Sequence, residues 1–364
     1  MGFLDKINYS MIVNSVKCDS VLNSLTFFHV TEGLPPDAMN DLLEGVVKYE
    51  LGLPVVPQKL AADGYFTLSQ LNATIENWPY GHSDRLNKPL PLRELQSDGV
   101  KQNAARTWCL LRLLPLMVGM KVPENNPVWQ ILLMLHKITE IVLAPKVAVP
   151  HLALLNTVLQ DHACLFTEIF QEAPFKPKQH YILHYPQLSL DFGPLRSAWC
   201  MRYEAKHYFF KMLVNCMRNF KNFCKTVATR HQMHQAFFLS NGFLHGKVSI
   251  DSVGKCKLGS VALSDTHLQS RFERLGICVT QIQSVERATI NDTTYRCGVF
   301  VAVAFLQECI AFGKITAVPI HDTAALFLVD KYLSHFDEHF ECYQLACMGI
   351  SDIIPYKNLA DWYL

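Results

Sequence analysis

The chain has 364 residues, half of them apolar, which is enough to bury one or two sizeable cores and excludes a disordered or fibrous protein. Lys and Arg number 33 against 32 Asp and Glu, so the net charge of +1 excludes a whole-molecule field for DNA or an anionic membrane. Any affinity for nucleic acid has to be local.

The N-terminal part reads as helical. Asp37 stands ahead of Met39, Leu42, Leu43, Val46 and Val47 at helical spacing and suits an N-cap. Three acids fall close together here, Asp37, Asp41 and Glu44, and the positive end of a helix dipole favours such residues in its first turns. Thr67-Leu68-Ser69-Gln70 reads as a capping box before Leu71 and Ile75, with Pro79 as the stop. A helix is expected over 98–119. Asn126-Pro127 pairs a cap with proline at the first helical position and opens a helix to about Leu143. Further helices are expected over 151–172 and 196–230. The longest apolar runs are broken by Arg112 and Pro115, or by His136, Lys137 and Glu140, so neither spans a bilayer.

His180 and His184 have metal-ligand spacing, but their segment is short, bracketed by prolines and lacks the Glu of a zinc protease. They read as packed or hydrogen-bonded turn residues, and no metal site is assigned. Between 202 and 230 seven basic residues, Arg202, Lys206, Lys211, Arg218, Lys221, Lys225 and Arg230, face the single acid Glu204. Lys211, Arg218 and Lys225 recur at seven-residue steps with Lys221 beside them, a stripe suited either to phosphate contact or to a solvated face. Phe209, Phe210, Leu213, Met217, Phe220 and Val227 are expected to pack inward.

Near residue 250 the hydrophobic period changes. Thr294–Val303, Phe312–Ile320 and Ala325–Tyr332 are short β-rich runs bounded by turn residues. The fold class expected is α+β, with a largely helical domain over 1–246 and a small antiparallel β-domain over 250–364. The acidic and aromatic stretch from His335 to Glu341 reads as a strand edge with solvated charge. Twelve cysteines are scattered without any C-x-x-C pair, which gives no support to a zinc ribbon and points to reduced thiols in an intracellular protein.

Three strings carry a family resemblance: Gly33-Leu34-Pro35-Pro36-Asp37 through Leu43-Glu44-Gly45-Val46; His184-Tyr185-Pro186 with Phe192-Gly193-Pro194-Leu195; and Trp199-Cys200-Met201-Arg202-Tyr203-Glu204-Ala205-Lys206-His207. Together they resemble blocks of animal CACTA-type transposase-like proteins, in order and spacing. The resemblance implies an RNase H-like core with a helical insertion, in which three carboxylates hold two Mg²⁺ ions for strand transfer. Glu204 is the first candidate for the third carboxylate, with Asp37 and Glu44 as the others. Two departures lead to the expectation of a catalytically incomplete protein. Asn40 stands where the family usually has histidine, and with only 36 residues before Asp37 the start of the catalytic core is expected to be missing. The expectation is a transposon-derived nuclear protein, acting on DNA through the Lys211, Arg218, Lys221 and Lys225 stripe or on transposase subunits, with no membrane partner and no cofactor. Mg²⁺ enters only if the site is complete. The alternatives are an active metal-dependent strand transferase and a protein-interaction module without a nucleic-acid role.

Overall fold

A computed structural model describes residues 21–28, 33–52, 56–92, 100–217, 221–240, 249–250, 266–277, 283–290, 293–306, 309–321 and 324–360. The fold is α+β. It divides into two compact units, with the division between Met201 and Arg202.

The first unit is helical. Helix α1 is one rod, made of a π-helical stretch Met39–Val47 and an α-helical stretch Lys48–Gly52. It is followed by α2 (Val56–Ala62), α3 (Leu68–Asn77), α4 (Ala104–Val118), α5 (Pro127–Leu143), α6 (Val149–Ile169), α7 (Pro177–Ile182) and α8 (Tyr185–Phe192). The caps read from sequence are in place. Thr67 and Gln70 form the reciprocal capping box of α3, and Asn126 accepts the N–H of Trp129 with Pro127 opening α5. Helix α4 starts later than the apolar pattern suggested, because the Asn103 side chain accepts the N–H of Arg106 and fixes the first turn there. Five of the first helix's side chains, Met39, Leu42, Leu43, Val46 and Val47, are buried in one core with Trp129, Phe166 and Tyr185. Burying a side chain of that size contributes about 1.5–3 kcal/mol each, so the first helix is held chiefly by packing.

The second unit opens with two helices, α9 (Met201–Met217) and α10 (Phe223–Ser240). The single helix expected over 196–230 is therefore corrected. Arg196 lies in a 3-10 turn, Leu195–Ser197, and the chain turns through Asn222, whose φ of 56° is the left-handed conformation that asparagine tolerates. The two helices run antiparallel: Phe209 meets His234 and Phe210 meets His231, with ring centroids 5.3 Å apart in both pairs. The expected inward residues Phe209, Phe210, Leu213, Met217 and Val227 are half-buried, and neither helix has a fully buried residue; Phe220 lies outside the described residues.

The remainder is an antiparallel β-structure with one helix, α11 (Thr266–Arg274). Strands β1 (Ser249–Ile250), β3 (Arg287–Ile290) and β4 (Thr293–Arg296) make a three-stranded sheet in the order β1-β3-β4. Strands β2 (Gln283–Val285), β6 (Ile310–His321), β7 (Ala324–Asp337) and β8 (Cys342–Pro355) follow in that order in a second sheet, where β5 (Phe300–Phe305) also pairs with β6. Ala325 to Val329 are buried in an unbroken run because both faces of β7 are covered. Phe327 and Val329 join Val285, Ile290 and Val318, whereas Leu326 and Leu328 meet Leu268 and Phe272 of α11. Arg271 of α11 pins this packing with a two-pronged pair to Asp352 at 2.7 and 3.1 Å, and Lys331 reaches the same carboxylate at 2.6 Å. The stretch from His335 to Glu341 is the tip of the β7–β8 hairpin, where Asp337 accepts the N–H groups of His339 and Phe340. The change of hydrophobic period thus falls inside the second unit. Around residue 250, where it was expected, only Ser249–Ile250 are described.

Candidate functional site

Asp37 is the residue around which the first unit's polar groups gather. It precedes the first helical turn, and its Oδ1 accepts the N–H of Met39 at 3.1 Å, the capping role read from sequence. The same oxygen accepts the N–H of Cys200 at 3.1 Å, and Oδ2 accepts from the Asn40 side-chain amide at 2.6 Å. That amide also faces the Cys200 Sγ at 3.3 Å. Burial pushes the Asp37 carboxyl up, but the hydrogen bonds from Cys200, Asn40 and Met39 outweigh it and hold the group below the ordinary aspartate range.

One turn on, Asp41 is raised above that range by burial, although the Lys178 ammonium and the Tyr185 hydroxyl, at 3.4 Å, oppose the shift. Lys178 donates to the Asn40 carbonyl at 2.5 Å. Gly45 makes this approach possible, since a Cβ there would lie 2.5 Å from the Lys178 Cδ and 3.0 Å from the Asn40 carbonyl. Glu44 turns the other way and pairs with Lys48 at 3.7 Å. A π-helical stretch is rare and is often found at functional sites; this one carries Asn40, Asp41, Glu44 and Gly45 together.

Beneath these groups lies a buried network absent from the sequence reading. Glu50 is fully buried and accepts from His162 at 2.9 Å and from the Gln179 amide at 2.8 Å. Gln179 also takes the N–H of Lys176 on its own oxygen, at 2.9 Å. Three helices, α1, α6 and α7, are thus tied at one point, which fixes α7 and with it Lys178. The only signal in the sequence is a single carboxylate between apolar neighbours, Tyr49 and Leu51, which a solvated helix explains equally well.

Glu204 is exposed in the first turn of α9, in the second unit. Lys211, Lys221 and Lys225 are exposed, and Arg218 lies outside the described residues. The stripe at seven-residue steps is interrupted, because Lys211 belongs to α9 and Lys225 to α10. A groove of about 720 Å³ runs between the two helices, lined by residues that include Phe210, Lys211, Val214, Val227 and His231. His180 and His184, expected as packed or hydrogen-bonded turn residues, are exposed and not packed, and their Nε2 atoms face each other at hydrogen-bonding distance.

In the first unit, Asp37 and Glu44 leave few carboxylate oxygens for a Mg²⁺ ion. Mg²⁺ needs free carboxylate oxygens, whereas Asp37 is engaged by three N–H donors and Glu44 by an ammonium. Among the described residues no group of three or more His, Cys, Asp or Glu is placed to hold a metal ion. Also among them, no helix is long and apolar enough to cross a membrane, and nine cysteines are in no disulfide. No family model, curated protein or solved structure matches the chain.

Proposed function

We propose that this chain is a transposon-derived protein of CACTA type that acts by binding DNA, not by cutting it. The observation that carries the reading is that all three sequence blocks of the resemblance meet in space. Cys200 of the third block reaches Asp37 of the first, and Tyr185 of the second reaches Asp41. Blocks lying 163 and 144 positions apart gain their meaning as one site. The helical body as remnant of an RNase H-like core belongs to the same proposal.

The non-catalytic form of the reading is supported by what two of the three carboxylates do: Asp37 accepts hydrogen bonds and Glu44 pairs with Lys48. For contact with DNA the α9–α10 hairpin offers Lys211, Lys221 and Lys225 to solvent, with the half-buried aromatic residues turned towards the neighbouring helix. Such contact reads phosphates and not bases, so it is weak and indifferent to sequence. A nuclear location and association with transposase subunits are part of the same reading.

The test is binding of duplex DNA across a range of salt. With Arg218 as the fourth contact, the slope of log affinity against log salt is expected near −3.6, from roughly −0.9 per phosphate. Replacing Lys211, Arg218, Lys221 and Lys225 with Gln flattens it. A slope unchanged in that variant rejects the hairpin as the contact, and Mg²⁺-dependent nicking of plasmid that is lost in Glu204→Gln restores the enzyme.

A further inference from the structure

His180 sits on α7 and His184 immediately before α8, four positions on. Their Nε2 atoms are 3.4 Å apart and their rings stand nearly perpendicular, at 85°. Both side chains are exposed, so an ion reaches them from solvent. The backbone that presents them is fixed from below. Gln179, on one side of His180, is buried and tied to Glu50, while Ile182 and Tyr185 are buried in the core between and beyond the two rings. Two mobile surface histidines lose rotamer entropy on sharing an ion, but here the scaffold is already ordered.

The spacing suits a tetrahedral ion. Zinc holds imidazole nitrogens at 2.0–2.1 Å in tetrahedral geometry, which places two such nitrogens about 3.3 Å apart. A square-planar copper centre brings neighbouring nitrogens to about 2.9 Å. Mg²⁺ and Ca²⁺ prefer oxygen and are poorly served by two imidazoles. In the absence of a metal, one ring's Nε2–H can donate to the other ring's Nε2 lone pair; on binding, the donating ring takes the Nδ1–H tautomer by proton exchange with water, so that each neutral ring offers an Nε2 lone pair to the ion.

We propose that His180 and His184 form a two-imidazole site for a divalent zinc-like ion. Among the described residues no third His, Cys, Asp or Glu joins them, so the remaining coordination positions are filled by water or by an incoming ligand. This is the open form of coordination, in contrast to the closed four-ligand sets of purely structural zinc. The proposal is independent of the DNA-binding reading, since it concerns α7 and α8 of the first unit and no residue of the basic hairpin.

The experiment is calorimetric titration of the full, reduced chain with Zn²⁺, alongside His180→Gln and His184→Gln. The wild type is expected to take up one equivalent more than either variant, since thiol sites elsewhere are common to all three proteins. The zinc-edge X-ray absorption difference between zinc-saturated wild type and zinc-saturated His180→Gln is expected to show nitrogen and oxygen neighbours with imidazole outer-shell scattering. Both histidines are exposed, so the variants keep the wild-type unfolding midpoint in the absence of metal. Equal zinc stoichiometry in the three proteins, or a first shell made of sulfur alone, overturns the proposal.

Discussion

The Asp37 carboxylate and the Cys200 backbone N–H meet at 3.1 Å across 163 positions of sequence, joining the start of the first helix to the end of the first unit. Asp37→Ala removes both the cap and this tie. A lost cap costs about 1 kcal/mol, and a donor left unpaired costs about 1 kcal/mol or more. Urea denaturation is expected to show a loss of roughly 2 kcal/mol. Because the Asp37 pKa is lowered on folding, its contribution is fully present above the unfolded value of about 3.9 and disappears as pH falls through the lower folded value. The stability gap between wild type and Asp37→Ala should be flat near neutrality and narrow below about pH 4. A gap that widens on acidification contradicts the assignment.

Asp41 has the opposite sense. Its pKa is raised by burial, so the ionised group costs stability above the folded value, and that cost vanishes as pH falls below the unfolded one. Asp41→Asn keeps an acceptor for Tyr185 and removes the desolvated charge, although it gives up the attraction to Lys178. At neutral pH the variant is expected to be as stable as the wild type or slightly more so, by less than about 1 kcal/mol. A large loss in thermal or urea unfolding would show that the Lys178 attraction outweighs burial.

Glu50→Ala strips the carboxylate oxygens that accept from His162 and Gln179. Removing one partner of a buried polar pair costs about 3–5 kcal/mol. Glu50→Gln, which can still accept from one of the two neighbours, should lose less. Denaturant midpoints at constant slope separate the two variants, and an alanine variant within about 1 kcal/mol of wild type would mean that water substitutes for the carboxylate.

Gly313 of β6 has no room for a methyl group: a Cβ would lie 2.8 Å from Val303 Cγ2 and 2.8 Å from Val329 Cβ. Both neighbours are β-branched and stiff, so they cannot rotate away. Gly313→Ala is expected to destabilise the protein by about 1–3 kcal/mol through overpacking. Gly45→Ala meets a flexible lysine instead and should cost less, displacing Lys178 from the Asn40 carbonyl. Comparable losses in the two variants would argue against this distinction.

Elements with local punctuation were legible in the sequence. Thr67 with Gln70, and Asn126 with Pro127, each bring their own hydrogen bonds, so helix starts follow without knowledge of the rest of the chain. The break between α9 and α10 was not, since basic residues at seven-residue steps run across Asn222, and one left-handed asparagine leaves little trace in a polar helix face. Strand β8 was missed because residues 344–350 are exposed and carry no alternation of burial. In the candidate site, Asp37 was legible as a cap. Its partner is a backbone N–H, which any residue but proline at position 200 would supply, and the role of Lys178 rests on the absence of a side chain at Gly45.

The antiparallel course of α9 and α10 means that the chain leaves this hairpin near the level at which it entered. Growth or shrinkage of both helices by matched turns moves the tip outward or inward and leaves the entry and exit points where they are. Neither helix contributes a fully buried residue, so little packing opposes such a change. This hairpin is accordingly expected to tolerate length variation, and a foreign sequence inserted at its tip, with little disturbance of the fold.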